Sequence, residues 1–465
     1  MNAHSDNAQR KNPDSYDDLH EPHPDDYYVD AITRKKRAEY EKKHPGKEPE
    51  YQDLVPPYSD LPSDYEEYGL ATRLKAALAN DIIAGMILIV AAALALFFAN
   101  SPWRDIYEAI SHYEIGFDSI HLSLSINHWA QDGLLTLFFF AVGLELKQEF
   151  VTGSLRDPRT AALPIISAVF GMAGPAAVYV TIISLSAHDA LQGWAIPTAT
   201  DIAFAVAILQ IFGRGLPLAA RTFLLTLAVA DDLGGILVIA LFYSSGIQVG
   251  ALFLSFIVVA VFAFLVRKRI LLWWLLIPLG ILAWYFMHAS GVHATISGVL
   301  LGMVVPAKEA EGESLAMTER FIELVNPFSA GLAVPIFAFF AAGVNIVDSP
   351  GGPSAMLSEP VTLAVGFALP LGKVIGIFGC VFLFTKLTGL RLGEGVSYGD
   401  VLPISFIAGI GFTVALLISH LAFQGNAELT SAGSLGVVLG TLLSTILGAV
   451  TLQMRVRYLR THDDT

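Results

Sequence analysis

Two adjacent carboxylates, Asp231 and Asp232, interrupt the otherwise apolar stretch "LAVADDLGGILVIALFY" (227–243). An ionisable group at membrane depth costs about 3 kcal/mol or more unless it is paired or hydrated, so it marks a functional site before it marks a packing contact. Neighbouring residues on a helix point about 100° apart. The two side chains therefore line adjacent sectors of one cavity rather than facing a single point. They repel when both are ionised and titrate as a coupled pair. Oxygen ligands of this kind suit a proton or a small hard cation, and hardly both at once. The plainer alternative is a pair neutralised by a lysine that serves only to pack helices.

Other charges and breaks share this setting. Asp201 ends "GWAIPTATD" (193–201), where Pro197 removes a backbone donor and breaks a helix. Thr198 and Thr200 are expected to satisfy the freed groups or to cap a new half-helix near Asp201. Irregular backbone at this depth is tolerated only where it lines protein or a water cavity. Lys373, in "LPLGKVIGI" (369–377), has no route to the interface, so it is expected to pair with Asp231 or Asp232, and the spacing does not decide which. Gly409 and Gly411 interrupt "AGIGFTVALLIS" (408–419). Glu145 and Glu149, four apart in "GLELKQEF" (143–150), form either an acidic mouth or a solvated helix end. His293 in "SGVHATISG" (290–298) either titrates near neutral pH or is packed and hydrogen-bonded. Asp132, near the start of the second apolar run, is a further carboxylate. The single cysteine, Cys380, excludes an intrachain disulfide and a cysteine-based metal site.

The elements that must position these groups are membrane spans. The chain has 465 residues, 54% hydrophobic and 15% charged, with a mean hydropathy of +0.58. The fold class expected is an all-α polytopic membrane protein with twelve transmembrane helices. The expected spans are 79–99, 127–147, 161–184, 193–212, 218–243, 249–266, 270–288, 291–306, 326–346, 360–385, 401–423 and 432–454. Cytoplasmic loops retain positive charge. Of the 19 Lys and Arg after residue 67, Lys373 lies in a span, Arg104 falls on one side and the other seventeen on the opposite side, which predicts two cytoplasmic termini. Residues 1–67 hold 17 Asp/Glu against 9 Lys/Arg and read as a disordered acidic cytoplasmic extension; residues 461–465 are a short tail. The stretch "YGD" (398–400) is expected in a cytoplasmic loop. In the first external loop, Ile120, Leu122, Leu124 and Ile126 alternate with polar residues, predicting a small external β-hairpin. It would either pair edge to edge with a second copy or lie on the membrane surface.

"DIAFAVA" (201–207) and "GIGFTVA" (409–415) coincide at four of seven positions. They lie in oppositely directed, broken spans, which suggests an inverted-topology repeat relating spans 3–5 to spans 10–12, with an ion site where the broken helices cross. Asp201 would offset facing positive helix ends there, and Lys373 facing negative ends.

Together these residues resemble the NhaA family of sodium/proton antiporters, itself a type case of that architecture. The matching stretches include "GWAIPTATDIAFAVAIL", "LAVADDLGGILVIALFY", "VGLELKQEF", "SGVHATISGVLLGMVVPAKE", "LGKVIGI" and "GIGFTVALLISHLAF", within about residues 72–460. The resemblance implies that Asp231 and Asp232 bind the cation and protons, with Asp232 as the direct Na+ ligand and Thr200 beside it. It implies that Asp201 and Lys373 compensate the crossed half-helices, Lys373 pairing with Asp231. Glu145, Glu149, His293 and Asp132 match positions tied to pH response or cation entry. It further implies a transport core (about 161–243 and 360–454), an interface panel (about 79–147 and 249–346), a homodimer through the hairpin and panel, and a place in the bacterial inner membrane. No cofactor and no nucleic acid are implied; the partners are the lipid bilayer, Na+ or Li+, and H+. Two departures stand out: the 67-residue extension has no family counterpart, and "AMTERFIELVNPF" (316–328) lacks most of the basic residues and histidines of the family's pH-sensing cluster.

The activity these features imply is electrogenic exchange of cytoplasmic Na+ or Li+ for external H+. No phosphate-binding GxxxxGK[ST] motif supplies an ATP-driven alternative. An intramembrane aspartic protease would need its two aspartates on different helices facing each other across a gap. A carrier of organic solutes is disfavoured by the acidic centre.

Overall fold

The computed structural model describes residue 78 and, between 81 and 462, every residue except 118–121, 157, 245, 311–312, 314, 350 and 388–395. The extension 1–67, residues 463–465 of the tail and Ile120 of the expected hairpin lie outside the described residues.

Helix α1 (Asp81–Ala99) leads to a short amphipathic helix α2 (Arg104–Ser111) and two strands, β1 (Glu114–Phe117) and β2 (Leu122–Ser125). The strands pair antiparallel, with Glu114 opposite Ser125 and Phe117 opposite Leu122. Trp129 Nε1 donates to Ile115 O at 2.8 Å and ties the pair to the next helix. A turn (Ile126–His128) and a π-helical turn (Trp129–Leu134) run into α3 (Leu135–Val151), and α4 (Pro158–Leu185) follows. A 3-10 stretch (Leu191–Thr198) and α5 (Ile202–Phe212) make the first bent pair, before α6 (Leu218–Phe242). Then come α7 (Val249–Arg267), α8 (Trp273–Ala289), α9 (Thr295–Met303) and α10 (Met317–Phe328), which a π-helical turn (Ser329–Ala333) joins to α11 (Val334–Ala341). Beyond α12 (Gly352–Ser358), α13 (Pro360–Phe367) passes through two π-helical segments, Ala368–Gly372 and Val374–Phe378, into α14 (Gly379–Leu387). Helices α15 (Tyr398–Ala408) and α16 (Phe412–Ala422) form the second bent pair, and α17 (Ala427–His462) ends the described chain.

Among the described residues, seven helices are long and apolar enough to cross a membrane. The two bent pairs, with bends of 42° and 47°, each pass the same test taken together. Phe253, Phe256 and Phe264 of α7 are exposed, as lipid-facing side chains are. Several expected spans change their bounds, the twelfth most in length, from 432–454 to Ala427–His462, and two changes have a clear local cause. The eighth, expected at 291–306, is helical only over Thr295–Met303, because the chain turns at Gly291 with a positive φ of 76°. The ninth begins at Met317 rather than 326. Hydropathy marks where apolar residues start, whereas "TERFIE" is an amphipathic turn that extends the same helix outward. Pro327 lies inside this helix, and the π-helical turn just after it accommodates the missing N–H.

The apolar core has two main parts. One includes Ile208, Leu224, Leu369 and Leu416, from the bent pairs and the helices around them. The other joins α3 and α7–α10 through Leu144, Phe262, Leu276, Leu301 and Phe321.

Candidate cation and proton site

The two bent pairs cross at their breaks. In the first, the 3-10 stretch ends at Thr198 and the backbone turns extended through Ala199 (φ −78°, ψ 153°) to Asp201 (φ −95°, ψ 101°). Pro197 therefore lies within the last turn of the first half, and the break follows it. In the second, Gly409 and Gly411 flank Ile410, and the Asp201 N–H donates to Ile410 O at 2.6 Å. Glycine is required by this approach: a Cβ on Gly411 would lie 2.6 Å from Ala199 O, and one on Gly409 2.7 Å from Leu369 O.

Asp201 caps both second halves. Its Oδ1 accepts from the Phe204 N–H at 3.1 Å, and its Oδ2 from the Thr413 N–H at 3.1 Å. One negative charge thus meets two positive helix ends. Of the two roles open to Thr198 and Thr200, both take the first, satisfying backbone carbonyls, and the cap falls to Asp201. Thr198 Oγ1 donates back to Ala195 O at 2.7 Å. Thr200 Oγ1 turns across the crossing, 2.7 Å from Ala408 O and 2.7 Å from Asp231 Oδ2. A hydroxyl carries one proton, so it serves one of these acceptors at a time.

Lys373 sits between the two π-helical segments. Pro370 offers no N–H to the turn behind it, and the widened helix absorbs that loss. The ammonium is fully buried. Its three donors meet three acceptors: Asp231 Oδ2 at 2.5 Å, Thr198 O at 2.7 Å and Thr200 Oγ1 at 3.0 Å. Its partner is thus Asp231, the choice the spacing left open. Thr198 O is also the carbonyl end of the first half-helix, so the same cation meets a negative helix end.

Asp232 is buried beside this group, and its Oδ1 has no hydrogen-bond partner. Asp231 Oδ1 is likewise unpartnered. Asp232 lies within the fields of Asp231, Asp201 and Glu145, against the single positive charge of Lys373. Buried carboxylate oxygens without partners are costly. A bound proton or a hard cation removes that cost.

The remaining expected residues divide between two places. Glu145 and Glu149 are half-buried on α3, and Glu145 is close enough for its charge to reach Asp232. Asp132 and His293 meet each other instead, His293 Nε2 lying 3.3 Å from Asp132 Oδ1. His293 stands in the turn before α9, and its Nδ1 is 2.6 Å from Thr295 Oγ1.

The sequence does not flag one participant and misplaces one charged residue outside the site. His288 Nδ1 lies 3.5 Å from Asp132 Oδ2; no motif flags a histidine in "WYFMHAS". Asp400 is not in a loop, as expected, but in the first turn of α15. There it completes a capping box with Ser397 and pairs with Arg455 Nε of α17 at 2.8 Å. An i,i+3 cap signal, Ser397 with Asp400, could have placed it.

Comparison with known proteins identifies the family. A sequence model of the family described as Na+/H+ antiporter 1 matches residues 75–452. The chain is 47% identical over 400 residues to Na(+)/H(+) antiporter NhaA 2 of Mycobacterium sp. (strain MCS), covering 83% of this chain and 89% of that one. It is 47% identical over 403 residues to Na(+)/H(+) antiporter NhaA 1 of Clavibacter michiganensis subsp. michiganensis (strain NCPPB 382), covering 84% and 92%. It is also 47% identical over 380 residues to Na(+)/H(+) antiporter NhaA of Streptomyces antibioticus, covering 82% and 78%. With a family match that spans most of its length, this multi-pass membrane chain belongs to the Na+/H+ antiporter 1 family.

Proposed function

We propose that this protein exchanges cytoplasmic Na+ or Li+ for external protons by alternating access at one shared site, Asp231 and Asp232 with Thr200. The observation that carries this reading is the inequality of the two carboxylates. Lys373 and Thr200 both donate to Asp231 Oδ2, and neither bonds Asp232, whose Oδ1 is buried without a partner. Asp232 is then the direct Na+ ligand. Na+ entering from the cytoplasm displaces protons, and protons arriving from outside displace Na+. Two titrating carboxylates per cation make the exchange electrogenic, with more protons in than cations out. Glu145 and Glu149 draw cations toward the site from the cytoplasmic end of α3.

The twelve-span reading adds the rod ending in α3, α8 and α9 to the nine spans counted above. Similar bends of 42° and 47° support an inverted repeat between the two halves of the core. Asp201 and Lys373 compensate the helix ends at its centre. The separate apolar cluster of α3 and α7–α10 fits a panel against which the core moves. Both termini lie in the cytoplasm of a bacterium whose plasma membrane holds the protein as a homodimer, joined through the β1–β2 pair and the panel. Proton movement in everted membrane vesicles after NaCl addition tests this function. The wild-type chain is expected to move protons and Asp232→Asn is not; sodium-dependent exchange retained by Asp232→Asn would reject the site.

A further inference from the structure

A cavity of about 740 Å³ opens between the core and the panel, away from the aspartate pair. Asp132, His288 and His293 line one wall, while His420 of α16 and Thr430 and Ser434 of α17 line another. Asp132 is held on the π-helical turn ahead of α3. Its carbonyl accepts from Trp284 Nε1 at 2.7 Å and from Thr136 Oγ1 at 2.5 Å. Both of its carboxylate oxygens then face imidazoles, His293 Nε2 at 3.3 Å and His288 Nδ1 at 3.5 Å. The His288 ring is fixed by stacking on Trp284 (5.7 Å, 13°), which stacks in turn on Trp129 (5.6 Å, 22°). The His288 side chain is 27% exposed against 7% for His293, so of the two it is the one that water reaches.

We propose that Asp132, His288 and His293 form an external proton-loading site, with His288 as the group that exchanges protons with the water of the cavity. This rests on the orientation and exchange reaction proposed above, under which the start of α3 and the end of α16 lie on the outer side. Transport needs protons delivered from outside to a pair of buried carboxylates. A carboxylate between two imidazoles carries a net charge of −1, 0 or +1 as it takes up none, one or two protons. Histidine changes charge in the range where outside water supplies protons at useful concentration. His288 takes a proton from water on Nε2, while its Nδ1–H stays on Asp132 Oδ2. The proton moves on when the core turns its own carboxylates toward the cavity. Other titratable groups share this space. His128 lies near enough for its charge to act on Asp132 and on His420. Glu108, His112 and Tyr107 line the cavity from α2, and Tyr243 from the end of α6. Glu108 is the one other carboxylate among these lining residues, so Asp132 is the acid in direct contact with imidazoles.

The test uses right-side-out vesicles loaded with NaCl, with Na+ efflux followed against external pH at fixed internal pH. His288→Gln is expected to raise the external proton concentration for half-maximal efflux about tenfold, one pH unit. The KM for Na+ entering from the cytoplasmic face, measured in everted vesicles, is expected to stay as in the wild type. An unchanged external midpoint would overturn the proposal. Failure of the wild type to exchange Na+ for H+ would instead reject the function on which it rests. A second measurement needs no turnover. NMR of histidine side chains in the purified protein is expected to show the imidazole chemical shifts of His288 and His293 changing in Asp132→Asn; chemical shifts that stay in place overturn the cluster.

Discussion

Asp201 Oδ2 accepts from the Thr413 N–H at 3.1 Å, so a carboxylate from the first broken span caps the second. The same side chain caps its own half-helix at Phe204. Losing an N-cap costs about 0.5–2 kcal/mol. Asp201→Ala loses two, and Asp201→Asn keeps one oxygen to accept with. Thermal melting of the purified protein should therefore rank wild type above Asn above Ala. Equal melting of Asn and Ala variants would mean that the double cap does not hold the crossing.

The Lys373–Asp231 pair is fully buried. Removing one member strands the other charge, at a cost of about 3–5 kcal/mol. Lys373→Met should melt well below the wild type, and adding Asp231→Asn should recover most of the loss while leaving exchange abolished. A double variant that melts below both single variants would contradict this pairing.

Backbone meets backbone at Gly411. Gly411→Ala places a methyl group 2.6 Å from Ala199 O, and overpacking of this kind costs about 1–3 kcal/mol. Gly379, at the start of α14, has nothing within 4 Å of an added Cβ. Gly379→Ala should stabilise by about 0.5–1 kcal/mol, since the unfolded chain loses freedom and the helix gains a better former. Melting that falls equally in both variants would remove close approach as the reason for glycine at the crossing.

Among the described residues the β1–β2 pair has no third strand on either edge. Replacing Glu114–Ser125 with a Gly/Ser linker should turn dimer into monomer by chemical cross-linking in membranes, with exchange retained. A dimer that persists would place the contact between panel helices alone.

Much of this arrangement was legible in the sequence, for physical reasons that differ by element. Charges at membrane depth stand out against apolar neighbours, so Asp201, Asp231, Asp232 and Lys373 could be found one by one. Breaks announce themselves through Pro197, Gly409 and Gly411. Pairing is another matter. Asp231 and Asp232 are neighbours on one helix, and only the fold decides which of them Lys373 meets. Thr200 had two roles open to it, capping or satisfying a backbone group; the end of α15 and α6 offer it Ala408 O and Asp231, which only the fold brings near. His288 was invisible because its partner Asp132 lies on another helix, and histidine in an apolar run carries no periodic signal. The start of α10 was misplaced because hydropathy reports the bilayer boundary, while hydrogen bonding sets the helix end.

Competition between Na+ and protons for one buried place is tested most directly by equilibrium binding. Isothermal titration of Na+ into the purified protein should give an apparent Kd that weakens about tenfold per unit fall in pH where one proton leaves for each cation bound, and about a hundredfold where both carboxylates must lose theirs. Asp232→Asn should abolish the binding heat. A Kd that does not change with pH, or Na+ binding that survives in Asp232→Asn, would contradict the shared site.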